Sequence, residues 1–291
     1  MLIKKLTLAL SLVALTACGG RGDDDSTDSG STDSGSTDSG STDSGSTDSG
    51  DTDPTGFAMS GMALDLGTLA PAAEGLCVYA ADPTKAMGGG ELDILGGSQI
   101  GAAGAFTIEN IVTTSVVGLF VIVQDCADAT EATVVPTATG VSPGNVASVS
   151  DGETLEGLTM LSINNAMATG IDMSLTGVGY EGGSVQETGM MAGFVMDNAS
   201  APIADATVSC TTGNGTPCAP VFYADADPTV GGLFAGAAGI NTGTAIEAGG
   251  LFVVPGAPIF TYSAAHNDYT FTDQIFGSVP GLATFMTFFA E

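Results

Sequence analysis

The chain has no tryptophan, one histidine, and four Lys plus Arg residues against 33 Asp plus Glu. Nucleic-acid affinity comes largely from Lys and Arg displacing the counterions of phosphates. A formal charge of −29 therefore excludes nucleic acid and anionic ligands as partners. The missing tryptophan, with only five tyrosines, argues against the aromatic-walled cleft in which a carboxylate pair hydrolyses sugars. The one histidine, His266, sits between Ser263 and Asp268. Neighbours on one strand or loop rarely converge into a relay, and no Gly-x-Ser-x-Gly elbow exists. No Cys-x-x-Cys pair exists either, so a zinc site lacks its ligands. Long helical periodicity is nearly absent, and the longest apolar run falls short of the ~20 residues that span a bilayer.

What is present begins with a leader. Lys4 and Lys5 form a basic n-region, Leu6 to Ala14 is almost wholly apolar, and Leu15-Thr16-Ala17-Cys18 follows. The run is the length of a cleavable secretory signal. Its last four residues resemble a bacterial lipobox, the tetrad after which a dedicated peptidase cuts and leaves a lipid-modified cysteine. The resemblance implies diacylglycerol on the Cys18 sulfur and a third acyl chain on its new amino group. Two or more chains hold a protein stably on a membrane. Gly19 is not the aspartate of an inner-membrane retention signal, so the resemblance implies an outer-membrane lipoprotein, facing either side. Losing residues 1–17 takes away Lys4 and Lys5 and moves the formal charge from −29 to −31. Such a surface favours solubility, bound cations and a salty habitat, which is a solubility argument and not evidence of a site.

From Gly19 the text is low in complexity. Five copies of Ser-Thr-Asp-Ser-Gly run from Ser26 to Gly50 between Asp23-Asp24-Asp25 and Asp51-Thr52-Asp53-Pro54. With no apolar side chain to offset ordering entropy, this stretch reads as a disordered tether. Gly19 to Gly56 should span about 30–40 Å, and further with its charges extended. Arg21-Gly22-Asp23 spells an adhesion tripeptide, but three residues from the anchor it is out of a large receptor's reach.

From Phe57 short apolar runs appear, bounded by Gly, Asp and Pro. Leu76 to Ala80, Ala105 to Ile108, Val116 to Val123, Gly193 to Met196, Ala206 to Cys210, Leu251 to Val254 and Thr284 to Phe289 read as strands. An internal repeat organises them. Ser60-Gly61-Met62-Ala63-Leu64-Asp65 matches Ala192-Gly193-Phe194-Val195-Met196-Asp197, 132 positions on (65 to 197). Gly104-Ala105-Phe106 matches Gly250-Leu251-Phe252, 146 positions on (104 to 250). The second copy thus holds about fourteen more residues between these markers, expected around Cys210 to Gly243. Phe106 and Phe252 should plug corresponding cores.

The second copy, with Gly193-Phe194-Val195-Met196-Asp197, Ala201-Pro202-Ile203-Ala204-Asp205-Ala206-Thr207-Val208 and Gly250-Leu251-Phe252-Val253, resembles the carboxypeptidase regulatory-like domain. Asp205 stands where that family usually has glycine, and Ala248-Gly249-Gly250 replaces an Asp-x-x-Gly turn. Pro71, Gly75-Leu76-Cys77-Val78 and Gly101 to Phe106 carry the pattern in the first copy. The resemblance implies a small Greek-key sandwich related in shape to transthyretin, in a non-catalytic accessory module.

Between the copies, Ser150 and Glu153 form a capping-box pair ahead of Leu155, Leu158, Leu161 or Ile163, and Met167. This spacing predicts a connecting helix from Ser150 to Gly170, with Ile171 to Leu175 as the last strand of the first unit. Besides Cys18 there are Cys77, Cys126, Cys210 and Cys218. An even number in an exported chain favours two disulfides over a metal site. Of three possible pairings, proximity and the two-copy division favour Cys77–Cys126 and Cys210–Cys218. Asp225-Ala226-Asp227 is a fragment of a calcium loop, without the full Asp-x-Asp-x-Asp-Gly pattern.

The sequence therefore predicts an all-β chain: signal peptide 1–17, lipid anchor and disordered linker 18–56, first β-sandwich 57–149, helix and connecting segment 150–189, second β-sandwich 190–291. The expected role is that of a membrane-anchored, non-enzymatic envelope lipoprotein that needs no cofactor and has a structural or binding task toward an unnamed protein or glycan. A carbohydrate- or calcium-binding surface protein is the alternative, with calcium at Asp225 and Asp227, and a carboxylate-dependent glycosidase ranks third.

Overall fold

Both sequence copies begin with a strand that has a parallel neighbour on one side and an antiparallel one on the other. The computed structural model describes residues 56–291 except 88–89, 128, 130, 212–216, 228–231 and 237–238. The leader, Cys18, Arg21-Gly22-Asp23 and the five-residue repeats lie outside the described residues. The first copy contributes β1 (Phe57–Asp65), β2 (Cys77–Asp82), β3 (Asp93–Gln99), β4 (Ala105–Ile111), β5 (Leu119–Gln124), β6 (Val134–Val135), β7 (Thr137–Val141) and β8 (Thr154–Asn164). The second contributes β9 (Met190–Met196), β10 (Thr207–Cys210), β11 (Phe222–Tyr223), β12 (Ala235–Gly236), β13 (Gly239–Ile240), β14 (Leu251–Pro255), β15 (Phe260–Ala265), β16 (Gln274–Phe276) and β17 (Ala283–Phe289).

In the first copy β4-β1-β8-β6 forms one sheet, facing β7-β5-β2-β3. Phe57, Met59, Phe106 and Ile108 from one sheet meet Val78, Ala80, Val121 and Val123 from the other in one core. In the second copy β11-β14-β9-β17 faces β10-β15-β16 around Val195, Phe252, Phe288, Val208 and Tyr262. Each fully buried large apolar side chain stabilises its sandwich by about 1.5–3 kcal/mol. The architecture is two tandem β-sandwiches.

The repeat read from sequence is a repeat in space. Phe106 pairs with Gly61 across β4 and β1, and Phe252 with Gly193 across β14 and β9. On the opposite flank Gly61 lies beside Leu158 of β8, and Gly193 beside Met286 of β17, both in parallel register. Asp65 N–H donates to Ala70 O at 2.9 Å, and Asp197 N–H to Ala201 O at 2.8 Å. Leu64 then bridges Pro71, as Met196 bridges Pro202. Gly104 and Gly250 both have positive φ (76° and 72°). A Cβ there would fall 2.4 Å from the Ala63 carbonyl oxygen in one copy and 2.5 Å from that of Val195 in the other. Glycine is required at both because the turn backbone lies directly on the first strand.

The two sandwiches share a sheet. β17 pairs in parallel with β9 on one side and β7 on the other, through Ala283↔Thr137, Thr284↔Ala138 and Phe285↔Thr139. The eight-stranded order β11-β14-β9-β17-β7-β5-β2-β3 therefore runs through both copies. Phe120 of β5 meets Phe276 of β16 edge-on at 5.5 Å, and Leu282 packs with Ile122 and Ala138.

The connecting segment corrects the sequence reading. No helix starts at Ser150: Ser150 N–H donates to a Glu153 side-chain oxygen at 2.9 Å, and Glu153 N–H returns to Ser150 O at 3.0 Å, which closes a turn. Residues 154–164 are β8, with a register shift between Leu155 and Leu158 opposite Met59 and Gly61. That bulge turns Leu155 and Leu158 to the same core, so their three-residue spacing imitates a helical face. The helices in chain order are α1 (Thr84–Met87), α2 (Pro143–Ala147), α3 (Asn165–Gly177) and α4 (Val185–Thr188). α3 starts after Asn164, whose side chain accepts the Met167 N–H at 2.8 Å as an N-cap. Ile171 to Leu175, expected as a strand, lies inside α3. Ala168, Ile171 and Leu175 occupy its buried stripe, against Phe194, Met196 and Phe285 on the outer face of the second sheet. β9 is consequently buried along its whole length, on both faces.

Candidate functional site

Two disulfides join the expected pairs. Cys77 at the start of β2 bonds Cys126 just beyond β5, with Cα atoms 5.0 Å apart, and Cys210 at the end of β10 bonds Cys218 at 5.4 Å. The first joins the start of β2 to the residues just beyond its neighbour β5, and the second ties the end of β10 to the loop that precedes β11. Such bonds persist in oxidising compartments, which makes this an extracytoplasmic chain. No helix among the described residues is long and apolar enough to cross a membrane.

The acidic side chains that shift are loop fasteners. Burial pushes the Asp125 carboxyl up, but the Thr133 hydroxyl at 2.6 Å and the N–H groups of Val134 and Thr133 outweigh it, so it titrates below its usual 3.8. This ties the loop after Cys126 back to β5. Asp82 behaves alike: burial raises it, and the Thr84 hydroxyl and N–H, with Ser115 and Thr113, bring it below 3.8. The Ser115 hydroxyl at 3.2 Å fixes the β4–β5 loop to the end of β2.

Asp225 and Asp227 follow β11. The Asp225 carboxylate accepts the Asp227 N–H at 2.8 Å, and the Asp225 N–H donates to Leu233 O at 2.7 Å. That is an Asx turn, a geometry any loop uses. Among the described residues no three or more His, Cys, Asp or Glu side chains gather where a metal ion could be held. His266 follows β15. Its Nδ1 accepts the Asp268 N–H at 3.0 Å, and its ring leans on Tyr269 at 5.1 Å. The histidine thus caps a turn, and the carboxylate–imidazole contact of a relay is not formed there. Lys85, the one Lys or Arg among the described residues, is exposed and ion-paired with Asp93 at 2.6 Å.

Several polar groups that shape the second sandwich were not signalled in the sequence. The Tyr223 hydroxyl bonds both backbone groups of Val208, and the buried Thr244 hydroxyl joins Ile203 O at 2.6 Å to the Ala206 N–H at 3.0 Å. Asp205, at the position where the resemblance has glycine, adopts φ 55°, and its counterpart Gly75 has φ 86°. An aspartate next to a Pro-Ile-Ala turn was the one available hint, since Asp tolerates that region better than most residues.

No family model matches the chain, and no curated protein matches it. Among solved structures it is similar to the Bacillus anthracis TIE protein, at 10% identity and a TM-score of 0.21, over 80% of this chain and 34% of that one. The chain thus spans about a third of that protein's length. The shaft pilin SpaA from Lactobacillus rhamnosus GG aligns at 8% identity and TM-score 0.23, covering 81% of this chain and 97% of the pilin. A Streptococcal ancillary pilin aligns at 10% identity and TM-score 0.23, over 80% and 68% of the two chains. At these scores the likeness carries no argument about function.

Proposed function

We propose that the chain is a lipid-anchored, non-enzymatic protein of the bacterial outer membrane, which holds a rigid pair of β-sandwiches away from the lipid on an acidic tether. The observation that carries this reading is the tetrad Leu15-Thr16-Ala17-Cys18 behind a basic and then apolar leader. The fold supports the presenting half of this reading. Its two modules are fused by β17 and covered by α3, an arrangement suited to presenting surfaces in a fixed relation. The repeated turn at Gly104 and Gly250, with Phe106 and Phe252 behind it, supports the carboxypeptidase regulatory-like reading of the modules. Mass spectrometry of the mature protein tests the anchor: its first residue should be Cys18 bearing a diacylglycerol mass. An unmodified terminus, or cleavage elsewhere, contradicts it.

A further inference from the structure

We propose that the open edge of β3 docks an extended segment of another polypeptide, bearing lysine or arginine, which joins the eight-stranded sheet as a ninth strand. The proposal deepens the reading of the chain as a presenting scaffold and rests on the binding half of it.

β3 ends the sheet and pairs with β2 alone. Its register skips Leu95, and beyond this bulge Gly96, Gly97, Ser98 and Gln99 lie opposite Ala80, Tyr79, Val78 and Cys77. The next residue, Ile100, donates its N–H to Leu76 O at 2.7 Å. Bonded pairs alternate along an antiparallel ladder, so Ser98 and Gly96 turn their backbone groups toward β2. Gly97 and Gln99 turn theirs outward. Among the described residues no strand pairs with that side. An open edge of this kind is a template for strand addition unless it is guarded.

The corresponding edge of the second sandwich is guarded. There β10 is the outer strand, and the Tyr223 hydroxyl occupies both the N–H and the carbonyl of Val208. β3 has its bulge at one end, but from Ile94 to Ile100 it holds no charged residue and no proline. Beside it runs a shallow groove of about 430 Å³ lined by Tyr79, Ile94, Gly97, Ser98 and Gln99. The Tyr79 ring lies against Gly97. Strand addition takes its affinity from backbone bonds and its selectivity from such side-chain recesses.

The surroundings set the charge of the occupant. Glu91 stands just before β3, and Glu109 lies on β4, whose backbone approaches Gly96. Lys85 and Asp93 neutralise each other in an ion pair, which leaves these two glutamates to set the local charge. A second copy of this chain meets strong like-charge repulsion, whereas a basic strand gains from the field.

The test uses the full mature chain and a capped peptide of alternating lysine and valine, seven residues long. A fully N-methylated version keeps the charge and loses every backbone donor. The unmethylated peptide should bind about tenfold more tightly and slow amide exchange at Gly97 and Gln99. Gln99→Pro removes an outward backbone donor together with the side-chain amide that meets Cys126 Sγ at 3.9 Å, whereas Gln99→Ala removes the side chain alone. The proline variant should weaken binding about tenfold more than the alanine variant, with melting temperature retained. Equal binding of the two peptides, or protection outside β3, overturns the proposal as plain electrostatic attraction to the acidic chain. Concentration-dependent protection of Gly97 and Gln99 without peptide also overturns it, because a second copy then fills the edge. If Gln99→Pro does not fold, the methylation comparison still decides. Lipid labelling at Cys18 is read separately, so loss of the anchor reading is not confused with loss of this one.

Discussion

The Tyr223 hydroxyl accepts the Val208 N–H at 2.7 Å and donates to the Val208 carbonyl at 3.1 Å, so one side chain of β11 closes the free edge of β10 on the facing sheet. The first sandwich has no such latch and places β3 at that side instead.

Tyr223→Phe should therefore destabilise the protein by about 1–3 kcal/mol, because two backbone groups buried with it lose their partner. Chemical denaturation of the variant checks this, and a change within error contradicts it. The same tyrosines predict an alkaline limit. Burial raises the Tyr223 phenol, against the lowering effect of Val208, and pushes Tyr262 up to about 12. A pKa raised on folding means the native state holds its proton longer than the unfolded one. Stability is then full below pH 10 and falls as pH rises toward 12. Tyrosinate absorbance for these two residues should appear together with unfolding, not before it.

Gly75 and Gly104 separate two kinds of glycine requirement. A Cβ at Gly75 meets nothing within 4 Å, so Gly75→Ala should cost only its left-handed backbone, about 1–2 kcal/mol. Gly104→Ala adds a collision with the Ala63 carbonyl oxygen and should cost clearly more. Equal losses in paired melts would refute the close approach of the Gly104 turn to β1.

Much of this was legible in the sequence, and what was missed has a common cause. Phe106, Phe252 and the Gly-x-x-x-Asp markers revealed the strands and their repetition, because period-two burial and obligatory glycines act locally. β8 was misread because its bulge turns Leu155 and Leu158 to one side, a spacing that a helix would also produce. The pairing of β17 with β7 depends on residues 146 positions apart (137 to 283) and on no local signal. The Tyr223 latch and the bond between the buried Thr244 hydroxyl and Ile203 O are likewise contacts between distant segments. For the candidate site, the disulfide pairs were legible from proximity, whereas Asp125 and Asp82 as loop fasteners were not.

The disulfides should differ in weight. In the chain-entropy model, breaking Cys77–Cys126 with its 49-residue separation costs about 4 kcal/mol, and Cys210–Cys218 with its separation of 8 about 2.5 kcal/mol. Paired serine variants compared by urea denaturation check the order. A larger loss from the shorter loop would contradict it.

Calcium should act on this chain as a screening ion. If Asp225 and Asp227 only close a turn, sodium at matched ionic strength raises the melting temperature as much as millimolar calcium, because both relieve self-repulsion. A saturable calcium heat that Asp227→Asn abolishes would establish a site instead.

The anchor is the centre of the account, and Cys18→Ser tests it most directly. Cells expressing the wild type and the variant are fed labelled palmitate, and the membrane and soluble fractions are compared. The account predicts label on the wild type alone, with the variant unlabelled and released or mislocalised. Equal palmitate incorporation into the Cys18→Ser protein would contradict it.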